Sequence, residues 1–182
     1  SPTAMVAAAG VMLAAAGPRG PRVADPTLLR YLLWSGVDRG LPLQLHCGYG
    51  DPDLELHRSD PLLLTRFLRL VEPRGVDVLL LHCYPYHRQA GYPAQVAVIP
   101  GSLELAPFAK ILFSSDGYGP AELHYLGAHL WRRGLARVLR GWVDEGAATD
   151  ADAARIAAMI GRDNALRVYR LRPADDRPIL PG

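Results

Sequence analysis

The sequence predicts a parallel α/β fold. Three observations point there: helical and strand-like segments alternate, no hairpin turn joins two strand-like runs, and those runs are almost unbroken in their apolar character. The order read from the pattern is helix, strand, helix, strand, short helix, strand, helix, helix. With 182 residues and 49% hydrophobic content, the chain can bury a core as one domain.

The opening, Ala4–Ala16, is apolar and rich in small residues. No positive residue precedes it and it is too short to cross a bilayer, so a buried or partly ordered helix is expected rather than a signal or an anchor. Pro18–Pro26 reads as a loop, and residues 1–24 form a separate N-terminal helix and loop. Asp25 before Pro26 is an N-cap with proline at the first helical position. That helix runs to Gly40, with Leu28, Leu29, Leu32, Leu33 and Val37 on its apolar face. Leu43–His46 is a short strand. After the glycine turn, Ser59 or Asp60 caps a helix that Pro73 and Gly75 end, and Val76–Cys83 is the second strand. A short helix in "SLELAPFAK" leads to a third strand, Ile111–Asp116. Helices follow around Ala121–Trp142 and Asp150–Ile160, then a final short one in "GRDNALRVYRL"; residues 172–182 are a loose tail.

Parallel α/β folds place their chemistry at the carboxyl ends of the strands, where loops converge. Here those ends are His46, His82 and Asp116. Imidazole nitrogen and carboxylate oxygen are ordinary ligands of a catalytic divalent ion, which lowers the pKa of bound water. Asp116, on the last strand, suits proton acceptance. A single strand-end histidine is more often structural, but two histidines and an aspartate at matching positions favour a functional reading.

The other histidines weigh less. His57 and His129 lie on polar faces and are read as solvated. His87 could reach substrate from its loop, though loop histidines are more often bystanders, and His124 is evenly balanced. Ser114 and Ser115 are read as packing in their strand. "GYGDPD" lacks the lysine of a phosphate loop and the spacing of a dinucleotide fingerprint, and no G-x-S-x-G elbow supplies a serine nucleophile. Cys47 and Cys83 each follow a strand-ending histidine and are read as buried free thiols in a cytoplasmic protein rather than as a disulfide. A net charge of +2, spread along the chain, excludes a nucleic-acid binder and a membrane-surface protein as expectations.

Three separated stretches, "LPLQLHCGYGDPDLELHRSDPLLL", "LLLHCYPYHRQAGYPAQV" and "ILFSSDGYGPAELHYLGAHLWRRGLARVL", resemble the carboxyl-terminal half of the amidohydrolase-related (amidohydrolase 2) family. The branch in question is similar to the amidohydrolase-like domain attached to some glutamine synthetases. The resemblance implies a metal-dependent (β/α)8 TIM-like barrel occupying residues 25–171, with His46 ending the fifth strand, His82 the sixth and Asp116 the eighth. It implies that both histidines bind a divalent ion, zinc or manganese, and that Asp116 binds it or acts as general base. Tyr84, His87 and Tyr118 would face substrate. Water activated by the ion would then attack a C–N or C–O bond of a small polar molecule, and some relatives of this kind decarboxylate acids instead.

The chain departs from that pattern in two ways. No two of its histidines are separated by one residue, as in the pair on the family's first strand, and 182 residues fall short of the ~250 of a full barrel. Little room is left for a seventh strand, of which "VAVIP" is the remnant. The expectation is thus an incomplete barrel whose uncovered edges invite a second copy or a complementing chain. The alternative is a non-catalytic interaction module.

Overall fold

The computed structural model describes residues 2–18, 20–21, 23–47, 55–82, 99–104, 106–115 and 117–171. The described residues up to Leu81 gather in one compact unit and those from His82 onward in another.

In the first unit, α1 (Pro2–Ala14) packs against α2 (Pro26–Asp38). The α2 start is a true cap: the Asp25 carboxylate accepts from the N–H groups of Thr27 (2.7 Å) and Leu28 (3.2 Å), and Pro26 needs no partner for the N–H it lacks. The helix ends in a Schellman arrangement. Gly40, at φ 64°, donates to the Val37 carbonyl (2.9 Å), and Leu41 donates to that of Gly36 (3.0 Å). Gly36 is also where α2 meets the strand β1 (Leu43–Cys47), since a Cβ there would lie 2.6 Å from Leu43 Cδ2.

The next helical stretch begins on Asp60, whose side chain accepts from Leu62 N–H at 2.8 Å. It passes through a 3-10 segment (Pro61–Leu64), α3 (Thr65–Val71) and a second 3-10 turn (Glu72–Arg74), and Gly75 at φ 63° stops it. Trp34 of α2 meets Phe67 of α3 edge to face, with ring centroids 6.1 Å apart. The strand β2 (Val78–His82) then pairs with β1. Leu43 N–H donates to Asp77 O at 2.9 Å and Cys47 Sγ approaches Leu81 O at 3.8 Å, so both chains run the same way and the pair is parallel.

The second unit has the deeper core. A helical segment at residues 99–104 and a 3-10 turn (Phe108–Lys110) precede α4 (Ala121–Asp144), which is followed by α5 (Asp150–Ala158), a π-helical segment (Met159–Asp163) and α6 (Asn164–Val168). Leu103, Leu135, Leu139, Ile156 and Ile160 form the buried cluster, and Trp131, Val138 and Trp142 extend it along α4 at the spacing of one helical face. Thr149 opens α5 with a reciprocal cap, accepting from Asp152 N–H while the Asp152 carboxylate accepts from Thr149 N–H.

Several expectations need correction. The N-terminal helix forms but is not buried: Val6, Val11 and Leu13 are 64%, 73% and 62% exposed, because a helix with apolar residues all around can turn only one side to a neighbour. Leu29 and Leu32 of α2 are likewise exposed, and only Leu28 and Val37 of its predicted face are buried. The run Ile111–Ser115 is not a strand. Its hydrogen bonds go elsewhere, Phe113 N–H to the Ile160 carbonyl (3.3 Å) and Ile111 O to the Asn164 side chain (2.7 Å), so no ladder forms among the described residues. The barrel is therefore not shown. What is seen is a helix-rich α/β chain with a two-stranded parallel sheet. Of "VAVIP", residues 96–98 lie outside the described residues, and Ile99 and Pro100 open the helical segment at 99–104.

Candidate functional site

The strand ends are the place to begin. In β1 burial alternates with the pleat: Leu43 and Leu45 are half-buried, Cys47 is buried, and Gln44 and His46 are exposed. His46 therefore stands on the open face at the carboxyl end of its strand. Its neighbour Cys47 carries a buried free thiol whose pKa burial pushes up.

His82 closes β2 in the backbone. The ladder sets Leu43 level with Val78; counting on, His46 is level with Leu81, and His82 stands one residue farther. The two His–Cys pairs are thus one step out of phase across the sheet, which the repeated motif alone does not reveal.

Asp116, Tyr84, His87 and Cys83 lie outside the described residues. Tyr118 is described and is 81% exposed, its phenol open to solvent. Among the described residues no group of three or more His, Cys, Asp or Glu side chains could hold a metal ion. The donor types proposed for the site, imidazole and carboxylate, nevertheless suit a hard or borderline divalent cation.

The remaining histidines are placed individually. His57 is exposed with its Nε2 3.7 Å from Glu55, and His129 is exposed and stacked on Tyr125 at 5.9 Å. His124 is different. Its Nδ1 lies 3.2 Å from Ser115 Oγ, and that oxygen also accepts from Gly117 N–H at 3.3 Å. Sequence reading left Ser115 in a strand and missed this pair. The available signal was "GYGP": two glycines and a proline that bring the first turn of the next helix back onto the Ser115 segment.

Asn164 is the buried polar residue of the second unit. Its Nδ2 donates to the carbonyls of Phe108 and Ile111, both at 2.7 Å, so both its amide hydrogens are used. Arg167 adds a bond to Ala109 O at 2.7 Å. These contacts hold the segment leading to Ser115 against α6. They read as structure, not chemistry.

Comparison with known proteins places the fold in a class first. The chain is similar to a protein from Lactobacillus casei ATCC 334, provisionally assigned as a metal-dependent hydrolase. The two are 28% identical with a TM-score of 0.64, over 82% of this chain and 45% of that one. Among curated proteins it is similar to protein fluG of Emericella nidulans, 34% identical over 152 residues, covering 71% of this chain and 17% of that protein. No family model matches the chain. The chain spans under half of the first of these proteins and about a sixth of the second. Among the described residues no helix is long and apolar enough to cross a membrane.

Proposed function

We propose that this chain is part of a metal-dependent hydrolase of the amidohydrolase-related kind, acting on a C–N or C–O bond of a small polar molecule. The observation that carries the reading is the likeness in fold to the Lactobacillus hydrolase, at 28% identity across 82% of this chain. The parallel pair β1–β2, which brings His46 and His82 to the same end of the sheet one register step apart, is in keeping with it. On this reading the strands and helices of residues 25–171 belong to a (β/α)8 barrel, and a complementing chain or second copy supplies what a barrel of ~250 residues needs.

His46 and His82 would hold a divalent ion, zinc or manganese, with Asp116 as a third ligand or as the base. Such an ion, when bound, polarises a carbonyl and brings the pKa of water towards neutrality. The chain's own groups do the rest. Asp116 takes the proton from the attacking water and returns it to the departing nitrogen or oxygen. Tyr118 offers an exposed hydroxyl to the substrate, and Tyr84 and His87 follow His82 closely enough in the chain to serve the same rim. Decarboxylation would use the same groups. A non-catalytic role as an interaction module is the second reading, favoured by the exposed apolar side chains of α1.

Elemental analysis of the purified chain, with His46→Ala/His82→Ala and Asp116→Asn variants, tests the proposal. Near-stoichiometric zinc or manganese, lost in the double variant, is expected. So is a fall in turnover of ~10²–10⁴-fold for Asp116→Asn in a screen of small amides and esters. Metal content indifferent to both histidines would sink the reading.

A further inference from the structure

We propose that His124 is a positioning residue, acting through Ser115 on the segment that leads into Asp116. The inference rests on the hydrolase reading above, in which Asp116 is ligand or base. Ser115 and Gly117 are the neighbours of Asp116 in the chain, and both are fastened. Gly117 N–H donates to Ser115 Oγ (3.3 Å), and the same oxygen lies 3.2 Å from His124 Nδ1 in the first turn of α4. Having accepted from Gly117, the hydroxyl still has its own proton to give, and Nδ1 accepts it in the tautomer that carries its hydrogen on Nε2.

Two glycines let the helix close on this segment. A Cβ on Gly127 would lie 2.9 Å from the Ser115 carbonyl oxygen and 3.0 Å from Ser115 Cβ, and one on Gly117 would lie 2.7 Å from the His124 ring. No side chain can stand at either place without displacing backbone or imidazole. Upstream, the Phe113 ring packs on Trp131 with centroids 4.5 Å apart, and Phe113 N–H is held by the Ile160 carbonyl. The run from Phe113 to Ser115 is therefore anchored on α4 at successive turns, by Trp131, Gly127 and His124. His124 is the most peripheral of these anchors. Its ring is exposed, so it adds little to the core, yet it holds the residue immediately before the proposed ligand or base.

The distinction between a stabilising and a positioning residue is measurable on the full chain. Three quantities are followed: zinc Kd by chelator competition, zinc-dependent hydrolysis of p-nitrophenyl acetate, and the exchange rate of the Gly117 amide by NMR. His124→Ala and Ser115→Ala should accelerate Gly117 exchange and weaken zinc binding or hydrolysis by about 10-fold, the scale on which supports of metal ligands act. His124→Asn, whose side-chain amide reaches the place of Nδ1, should restore both. His129→Ala, on the same helix, should change neither. If His124→Ala leaves affinity and hydrolysis within about twofold of the parent while Asp116→Asn impairs them, the positioning role is overturned and the hydrolase reading stands. Failure of His124→Asn to rescue overturns it too. If the parent chain binds no zinc, or Asp116→Asn is silent in both assays, the hydrolase reading fails and the proposal falls with it.

Discussion

The two units of this chain use similar numbers of helices to very different effect. The second concentrates its apolar side chains along one face of α4 and meets them with α5 and the π-helical segment, so that five large residues share one buried cluster. The first spreads its apolar residues over α1, α2 and the 3-10 segment, and among its described residues buries Leu28, Val37, Cys47 and Val71 while many leucines and valines stay exposed. The lesson is that apolar content does not make a core. Periodicity does, together with a facing element of matching period.

That contrast can be broken most easily at its deepest point. Leu135→Ala, at a residue 3% exposed, is expected to cost about 2–5 kcal/mol in chemical denaturation, whereas Leu62→Ala, at a residue 75% exposed in the first unit, should stay within about 0.5 kcal/mol. Equal costs would refute the difference between the units. Next in size is Asn164→Ala. It leaves the Phe108 and Ile111 carbonyls without their donor, and a loss of about 1–3 kcal/mol is expected, readable as a shift in urea midpoint.

Smallest is the α5 cap. Thr149→Ala should cost ~1 kcal/mol. It should also change the acid behaviour, because the hydrogen bonds from Thr149, helped by Arg155, hold the Asp152 carboxyl below its usual range. A carboxylate with a lowered folded pKa adds stability above its unfolded value near 4, and that stability is lost as pH falls through the folded value. Denaturation midpoints measured from pH 5 down to 2 should therefore fall less steeply in Thr149→Ala than in the parent; an unchanged slope would show that the cap does not couple to the carboxylate.

What could be read in the sequence was local. Asp25, Pro26 and Gly40 fix both ends of α2 because caps and left-handed turns depend on the residues at those places and little else. The carboxyl ends of β1 and β2 were equally legible, since each is an apolar run that stops on a histidine. The segment Ile111–Ser115 was not legible. An apolar run says that the backbone will be extended and covered, but whether it becomes a strand depends on which groups take its N–H and C=O bonds, and here a side chain and a helix do. The Ser115–His124 pair was missed for a related reason. The two residues belong to different segments, and only the turn at Gly117–Pro120 decides that the helix start folds back over Ser115. The exposure of α1 was also hidden, because an all-round apolar helix carries no period from which a buried face can be chosen.

The π-helical turn has a consequence for how this chain can vary. Between Met159 and Asn164 the backbone bond spans five residues instead of four, which leaves one residue more than a regular helix would hold. That surplus residue works as a spacer. Each residue of an α-helix turns the chain by about 100°, so losing one here would swing everything after it by about that angle. Asn164 would leave the two carbonyls it joins. Side chains along Met159–Asp163 can be exchanged with modest effect where they face solvent, but the length of the segment is fixed.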